Sequence, residues 1–401
     1  MSVPISMEAV RRLVGASHHA RPEDLPAMAR ELATLLGADN LIIYLVDYEQ
    51  TTLMPHLGPG VPHRDPLLID TTLAGRVFVT GQELQVPGSP THRLWLPLID
   101  GTERLGVLEL IAASDPDDER RRDYQTVASL LAEVLVARRP YGDAFERTRR
   151  RLPMQVAAEI IWNHLPPLTF ATAEVAVSAI LEPCYDVGGD AFDYAANGDI
   201  LHLALFDAVG HGIAASALTS LAINVYRNGR RCGLDLSDTY RSIDKWVHAL
   251  HPDSFVTAVL AELDTATGEY RKISAGHPGE LLLRGGQLVK QFAAPTAMPL
   301  GLGHLGEPIP TIEVEVLQPG DRLLIYTDGI VEARAITGDF FGVDRLIDFI
   351  TRALADRLPA PETMRRLVRA ILAHQHEQLQ DDATAALVEW RPQFTYGALP
   401  V

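Results

Sequence analysis

The sequence predicts an α+β protein of two domains: an N-terminal domain of mixed helices and strands, then a sandwich with sheets inside and helices outside. Two observations support this fold class. The chain has 401 residues, and a domain takes about 150. From residue 171 onward the sequence becomes a series of short β-type runs separated by turns, with helical segments in the middle and near the end.

The N-terminal domain is predicted from elements in the order helix, strands, strands, helix. Apolar residues recur at helical spacing from Leu25 to Leu36, and Gly37 is suited to end that helix. The further elements are a buried strand at 41–47, a short helix at 72–81, β-rich runs in LWLPLIDG and GVLELIAAS, and a helix at 124–137.

This order of elements, with LGVLELIAAS and the long closing helix, resembles a GAF domain over residues 20–138, preceded by an N-terminal segment at 1–19. The resemblance implies a sensory domain with an antiparallel sheet and a ligand pocket on one face. The sequence leaves open whether that face binds a small molecule, a protein or no ligand. It also leaves open whether the domain forms a homodimer. The domain has no cysteine, which excludes covalent bilin attachment.

Residues 139–167 are predicted to form a linker with helical pieces, because proline and glycine interrupt them. Apolar spacing from Val156 to His164 predicts a helix, which the Pro166-Pro167 pair should end. The second domain is assigned to 168–392, and a tail to 393–401.

Composition excludes several classes of protein. The formal net charge is −17, so the chain should repel nucleic acids and anionic membranes. It has no apolar run long enough to span a bilayer, and MSVPISMEAVRR lacks the apolar core of a signal peptide. Two cysteines exclude a disulfide framework and a Cys-rich zinc site. We therefore expect a soluble, cytoplasmic protein.

Acidic clusters next to glycine or at strand ends are the candidates for chemistry. They are DVGGDAFD with Asp186, Asp190 and Asp193, LFDAVGHG with Asp207, LLIYTDGI with Asp328, and LQDDATAALV with Asp381 and Asp382. Apolar β-type runs adjoin most of these aspartates, which places each carboxylate on a rigid element. Mg²⁺ and Mn²⁺ prefer such oxygen ligands, whereas grouped carboxylates without a cation would raise one another's pKa.

The ordered pattern GGD, D-x-x-GHG, SAGHP, YTDG and DD-x-T is more specific than any single motif. At these residues the sequence resembles the PPM-type metal-dependent protein phosphatases, in particular the bacterial SpoIIE-like or RsbU-like serine phosphatases. The resemblance runs from about residue 175 to residue 390 and implies an α/β/β/α sandwich with two Mn²⁺ or Mg²⁺ ions.

The resemblance also implies roles for individual residues. Asp190 would bind one ion, Asp207 would bridge both ions, and Ala208 would offer its backbone carbonyl. Asp328 would hold the other ion together with Asp381, which is preferred over Asp382. A metal-bound water activated at Asp190 and Asp207 would attack phosphorus.

Two histidines and one further aspartate lie close to these motifs. His211 is interpreted as fixing the start of the helix at Gly212, with general acid catalysis as the alternative. His277 of AGHP is expected to orient its turn and not to donate a proton. Asp186 is either a residue that supports the metal ligands or an exposed loop carboxylate.

The predicted function is a Mn²⁺- or Mg²⁺-dependent serine/threonine phosphatase regulated by the GAF-like domain. By resemblance, its partner is a phosphorylated anti-sigma-factor antagonist of the STAS type, whose dephosphorylation frees a sigma factor. The alternative is a catalytically silent scaffold that binds the antagonist without turnover. Nucleic acid and membrane are not expected partners.

Overall fold

The computed structural model describes residues 5–88, 91–186, 188–292, 295–306, 309–356, 358–375 and 381–391. The chain divides into two compact units between Leu152 and Pro153, inside the segment predicted as a linker. Residues 1–4 and the predicted tail at 393–401 lie outside the described residues. Within the described ranges, no helix has both the length and the apolar character that a membrane span requires.

The N-terminal unit contains a six-stranded antiparallel sheet with flanking helices. The strands are β1 (Asn40–Val46), β2 (Thr52–Pro55), β3 (Leu67–Leu68), β4 (Leu84–Val86), β5 (His92–Asp100) and β6 (Glu103–Ala112). The helices are α1 (Ile5–Ser17), α2 (Leu25–Leu35), α3 (Leu73–Thr80), α4 (Asp118–Arg138) and α5 (Ala144–Arg149). The strand order is β3-β2-β1-β6-β5-β4. A sheet of this kind agrees with the GAF-like prediction, which stays a prediction.

Both faces of this sheet are covered, because its central strands are apolar on both sides. In β1, Leu41, Ile43 and Leu45 pack with residues of α1, α2 and α4. The alternate residues Ile42 and Tyr44 pack with residues of α3 on the opposite face. Successive side chains of a strand point to opposite faces, so a continuous apolar run buries both.

The ends of α2 and α3 agree with the sequence prediction. The hydroxyl of Thr72 accepts a hydrogen bond from the Gly75 amide at 3.1 Å and caps the start of α3. Gly37 and Gly81 follow the two helices with φ of 68° and 65°. Glycine adopts this left-handed conformation without a steric penalty, which explains why both helices end there.

The C-terminal unit contains two sheets. Its strands are β7 (Thr169–Ala171), β8 (Val175–Glu182), β9 (Asp190–Asn197), β10 (Ile200–Ala208), β11 (Val256–Asp264), β12 (Glu269–Ala275), β13 (Leu281–Arg284), β14 (Gln287–Gln291), β15 (Glu313–Val316), β16 (Arg322–Tyr326) and β17 (Ala383–Trp390). Its helices are α6 (Val156–Trp162), α7 (Gly212–Arg231), α8 (Leu236–Leu250), α9 (Asp328–Val331), α10 (Gly342–Ala355) and α11 (Ala360–His374). The strand orders are β15-β12-β11-β10-β9 and β14-β13-β16-β17-β8-β7.

The two sheets of this unit pack face to face, with helices outside them. Helices α7 and α8 cover the five-stranded sheet through a cluster that includes Phe206 and Ile243. Phe192 of one sheet and Val388 of the other share the cluster between the sheets. Helices α10 and α11 cover the six-stranded sheet through a cluster that includes Leu367. The layering is the sandwich with sheets inside and helices outside that the sequence predicts.

The predicted helix from Val156 to His164 is wrong at its C-terminal end. Helix α6 ends at Trp162, and the Asn163 side-chain amide donates to the Glu159 carbonyl at 2.8 Å. The His164 amide then bonds the Ile161 carbonyl, three residues back, which tightens the last turn. The helix therefore ends before the Pro-Pro pair.

We expect the N-terminal unit to lose stability as the pH falls below about 6.5, because of His56. Its ring is buried, with Nδ1 3.0 Å from Thr148 Oγ1 and Nε2 3.1 Å from the Pro22 carbonyl. Burial lowers the pKa of His56, partly opposed by the Pro22 carbonyl. A histidine with a lowered folded-state pKa contributes stability above its unfolded pKa and loses it as the pH falls toward the folded value. The slope for one such group cannot exceed about 1.4 kcal/mol per pH unit.

Hydrogen exchange of β1 and β2 at pH 7.5 and 5.5, corrected for intrinsic rates, measures this effect. His56→Gln should flatten the pH dependence, whereas the exposed His18→Gln should leave it unchanged. Equal exchange free energies at both pH values in the unmodified protein would contradict the expectation.

Candidate metal-binding site

The predicted carboxylates lie at one edge of the C-terminal unit, where the two sheets meet. Asp190 begins β9 and lies directly opposite Asp207, near the end of β10. Asp328 follows β16 and begins α9, and Asp381 and Asp382 immediately precede β17. Neighbouring strands β9 and β10 carry Asp190 and Asp207 in the five-stranded sheet. Neighbouring strands β16 and β17 adjoin the other aspartates in the six-stranded sheet, so both sheets contribute carboxylates to this edge.

The mutual electrostatic effects of these carboxylates show that they are close together. Burial and then the charges of Asp328 and Asp381 raise the pKa of Asp207 to about 7. Burial, followed by Asp207 and Asp382, raises the pKa of Asp190 well above its ordinary value. Burial and then Asp381 also raise the pKa of Asp328. No lysine or arginine is among the main causes of these three pKa shifts, so within the part of the chain that the structure describes a nearby cation does not compensate this negative charge.

Asp382 has a different environment from Asp381. One of its oxygens, Oδ2, accepts hydrogen bonds from the amides of Gly188, Gly189 and Asp190 at 2.7, 2.6 and 3.2 Å. Asp382 is buried, whereas Asp381 is exposed. Asp382 thus holds the GGD loop against the start of β17. Asp381 accepts from the Asp382 amide through Oδ1 at 2.9 Å, and its exposed carboxylate acts electrostatically on Asp207 and Asp328.

Close backbone approaches explain two glycines of the motifs. A Cβ on Gly189 would lie 2.5 Å from the Ala208 carbonyl oxygen. A Cβ on Gly329 would overlap the Asp382 carbonyl oxygen. Glycine in GGD and in TDG therefore allows the strands that carry the aspartates to approach one another.

His211 and Asp186 are both exposed. His211 occupies the N-cap position of α7, where the sequence predicted it, but its side chain makes no capping hydrogen bond. The positive φ of Gly212, 74°, allows the chain to enter α7 from the extended His211 instead. Asp186 is an exposed loop carboxylate.

The oxygen donors of this edge fit a hard divalent cation. Several carboxylates with raised pKa values lie together, and a bound cation would remove the repulsion that raises them. Among the residues that the structure describes, no three carboxylate, imidazole or thiolate groups converge tightly enough to enclose an ion. Asp190 and Asp382 instead accept hydrogen bonds from Thr327 and from the GGD amides.

Comparison with known families assigns the C-terminal unit. A family model described as Stage II sporulation protein E (SpoIIE) matches residues 197–391, which include Asp207, Asp328 and Asp381. The C-terminal unit is a SpoIIE-family domain of the PPM phosphatase type. Asp190 lies just upstream of the matched residues of this SpoIIE domain. The resemblance found from the motifs is confirmed.

Similar proteins extend over more of the chain than the SpoIIE match. Protein IcfG of Synechocystis sp. is 23% identical over 270 residues, which are 60% of this chain and 42% of IcfG. Phosphoserine phosphatase RsbU of Bacillus subtilis is 24% identical over 264 residues, 63% of this chain and 76% of RsbU. The crystal structure of the RsbU and RsbW domains of a Mycobacterium tuberculosis protein is 26% identical, with a TM-score of 0.49, and the match covers 56% of this chain and 63% of that chain. This chain thus spans less than half the length of IcfG.

Several residues that support the SpoIIE domain's carboxylates were not found by sequence reasoning. Thr327 donates from its Oγ1 to Asp190 Oδ2 at 2.7 Å, and Thr257 Oγ1 lies 3.3 Å from Asp207 Oδ2. Asp193, counted with the acidic clusters, is buried in ion pairs with Arg227 and Arg230 at 2.7 and 3.0 Å. Thr327 is the first residue of the TDG motif, so its position in the sequence could have indicated its role. Thr257 lies within an ordinary apolar strand, and its sequence position carries no signal.

Proposed function

We propose that this chain is a Mn²⁺- or Mg²⁺-dependent serine/threonine protein phosphatase that dephosphorylates an anti-sigma-factor antagonist of the STAS type. The observation that carries the proposal is the convergence of Asp190, Asp207, Asp328 and Asp381 from two sheets of a SpoIIE-family domain. The similarity to Phosphoserine phosphatase RsbU supports the hydrolysis of a phosphoserine.

In this proposal the two strand pairs divide the metal ligands between them. Asp190 and Asp207 come from neighbouring strands of one sheet, and with the Ala208 carbonyl they would hold metal on that side. Asp328 and Asp381 come from the ends of strands of the other sheet and would hold metal on the opposite side. When bound, the ions would activate a water molecule and neutralise the charge of the phosphoryl group.

The protein's own residues keep this ligand set in place. Asp382 fixes the loop that leads to Asp190, and Ser216 of α7 donates to the Gly188 carbonyl at 2.8 Å. Thr327 orients Asp190 from the other sheet. The N-terminal unit, proposed as a GAF-like sensor, would regulate this site.

A phosphate-release assay tests the proposal. The full chain is incubated with a panel of phosphoserine STAS-domain proteins and Mn²⁺, Mg²⁺ or EDTA. We expect release with a divalent ion and none in EDTA. No release from any phosphoprotein at saturating Mn²⁺ would contradict the proposal.

The catalytically silent scaffold is the alternative function, and binding of Mn²⁺ separates it from the phosphatase. Tight binding of an unphosphorylated or phosphorylated STAS protein without Mn²⁺ binding by calorimetry would support the scaffold. Binding of Mn²⁺ with release of phosphate would exclude it.

A further inference from the structure

One buried imidazole connects the two sheets at the edge where the aspartates converge. His277 follows β12 and is 2% exposed. Its Nδ1 lies 2.9 Å from Thr257 Oγ1 on β11, in the five-stranded sheet. Its Nε2 lies 3.0 Å from the carbonyl oxygen of Tyr326, the last residue of β16 in the six-stranded sheet.

Each end of this bridge adjoins a strand end that carries an aspartate. Thr257 is directly opposite Asp207 in the pairing of β10 with β11. Its Oγ1 is 3.3 Å from Asp207 Oδ2. Tyr326 lies two residues before Asp328. The imidazole therefore connects β11, whose Thr257 pairs with Asp207, to the end of β16, which leads to Asp328.

The donors and acceptors around His277 determine where the protons lie. The Tyr326 carbonyl only accepts, so Nε2 carries the proton and donates. Burial lowers the pKa of His277 to about 4, and the ring is neutral at pH 7. Nδ1 of a neutral ring then accepts, and the Thr257 hydroxyl donates to it. The single proton of that hydroxyl is shared between Nδ1 and the more distant Asp207 oxygen.

We propose that His277 is a positioning residue, which sets the separation of the strand ends that carry Asp207 and Asp328 and orients the Asp207 carboxylate through Thr257. The inference rests on the proposed function in that these carboxylates bind the ions. Imidazole suits this task because it is rigid and presents an acceptor and a donor on opposite sides of one ring. An aliphatic side chain would leave the Tyr326 carbonyl and the Thr257 hydroxyl without this partner.

The decisive variants are Thr257→Val and Thr257→Ser. Valine keeps the shape of threonine without its hydroxyl, and serine keeps the hydroxyl without the methyl group. We expect Thr257→Val to bind Mn²⁺ about 10–100-fold more weakly, as for residues that support metal ligands. The Mn²⁺ affinity of Thr257→Ser should stay within about 3-fold of that of the unmodified protein, a smaller change than is expected when a supporting residue is lost. Both variants should unfold within about 4 °C of the unmodified protein, a shift typical of about 1 kcal/mol for a unit of this size.

His277→Gln extends the test to the imidazole. Glutamine can donate to the Tyr326 carbonyl but cannot also reach Thr257 as a rigid ring does. The Mn²⁺ affinity of His277→Gln should therefore fall by about 10–100-fold, as for Thr257→Val. At saturating Mn²⁺, kcat should fall in Thr257→Val while KM for the phosphoprotein stays unchanged. Unaltered Mn²⁺ affinity in both Thr257→Val and His277→Gln would overturn the inference.

A readout without metal separates this inference from the proposed function. Nitrogen-15 NMR of the metal-free, unmodified protein should show His277 as the neutral Nε2–H tautomer at pH 7. A charged ring or the Nδ1–H tautomer would overturn the bridge, whatever the enzymatic activity. Absence of phosphate release with the tautomer and the Mn²⁺ affinities as expected would overturn the proposed function alone.

Discussion

Asp207→Asn should abolish Mn²⁺-dependent phosphate release and weaken Mn²⁺ binding by at least about 100-fold, the upper range for residues that only support ligands. Asp207 lies opposite Asp190 in the strand pairing, and the charges of Asp328 and Asp381 raise its pKa. It is therefore the carboxylate that adjoins both halves of the proposed ligand set. Asparagine has nearly the same shape but carries no charge, so the change removes the charge and preserves the packing.

The same substitution should stabilise the metal-free protein at alkaline pH. The pKa of Asp207 is raised to about 7, mainly by burial. An acid with a raised folded-state pKa lowers stability as the pH rises from its unfolded pKa to its folded pKa. At pH 8 the ionised Asp207 opposes folding by up to a few kcal/mol, at about 1.4 kcal/mol per unit of pKa shift. Asparagine avoids this cost, so its advantage should shrink toward pH 4.

Calorimetry with Mn²⁺, phosphate release and thermal unfolding in EDTA measure the three effects. Asp199→Asn is a matched control, because Asp199 is exposed at the far turn of the β9–β10 hairpin. The control should match the unmodified protein in all three measurements. Full phosphate release by Asp207→Asn would refute the proposed ligand role.

Alanine at Asp381 and at Asp382 should give opposite results, although the residues are adjacent. Asp381→Ala should weaken Mn²⁺ binding strongly and should not destabilise the metal-free protein, since Asp381 is exposed and its charge, which raises the pKa values of Asp207 and Asp328, repels them. Asp382→Ala should lower the unfolding free energy by about 3 kcal/mol, because a charged acceptor of several amides is lost from a buried site.

Urea unfolding in EDTA and Mn²⁺ calorimetry of both variants distinguish the two roles. The pair serves as its own control, since each variant removes one carboxylate from the same dipeptide. Strong destabilisation by Asp381→Ala together with a stable Asp382→Ala would reverse the assignment of ligand and loop support.

Elements with strong local patterns could be predicted from the sequence. Helix α2 has apolar residues at helical spacing and a following glycine, and β1 is a continuous apolar run between polar segments. Helix α6 was predicted too long, because its end depends on the Asn163 side chain and a tightened last turn. Such a local competition for backbone carbonyls leaves little trace in apolar periodicity.

The candidate site was predictable as a set of residues and not as an arrangement. Asp190, Asp207, Asp328 and Asp381 were recognised because each adjoins glycine or a β-type run in an ordered pattern. The different environments of Asp381 and Asp382 could not be read from the dipeptide, because the amides that Asp382 binds come from residues 188–190. The N-cap position of His211 was predictable from the sequence, whereas the lack of a side-chain capping hydrogen bond was not.

The sequence by itself determined the elements, the layering of the C-terminal unit and the identity of the acidic residues, because these depend on local spacing and on motifs. Tertiary structure alone decided which residues hold the two sheets together at the site. Thr257, His277 and Tyr326 are separated by 20 and 49 residues along the chain, yet one imidazole connects them. Contacts of this kind depend on how two sheets pack, and packing brings together residues whose sequence positions carry no sign of one another.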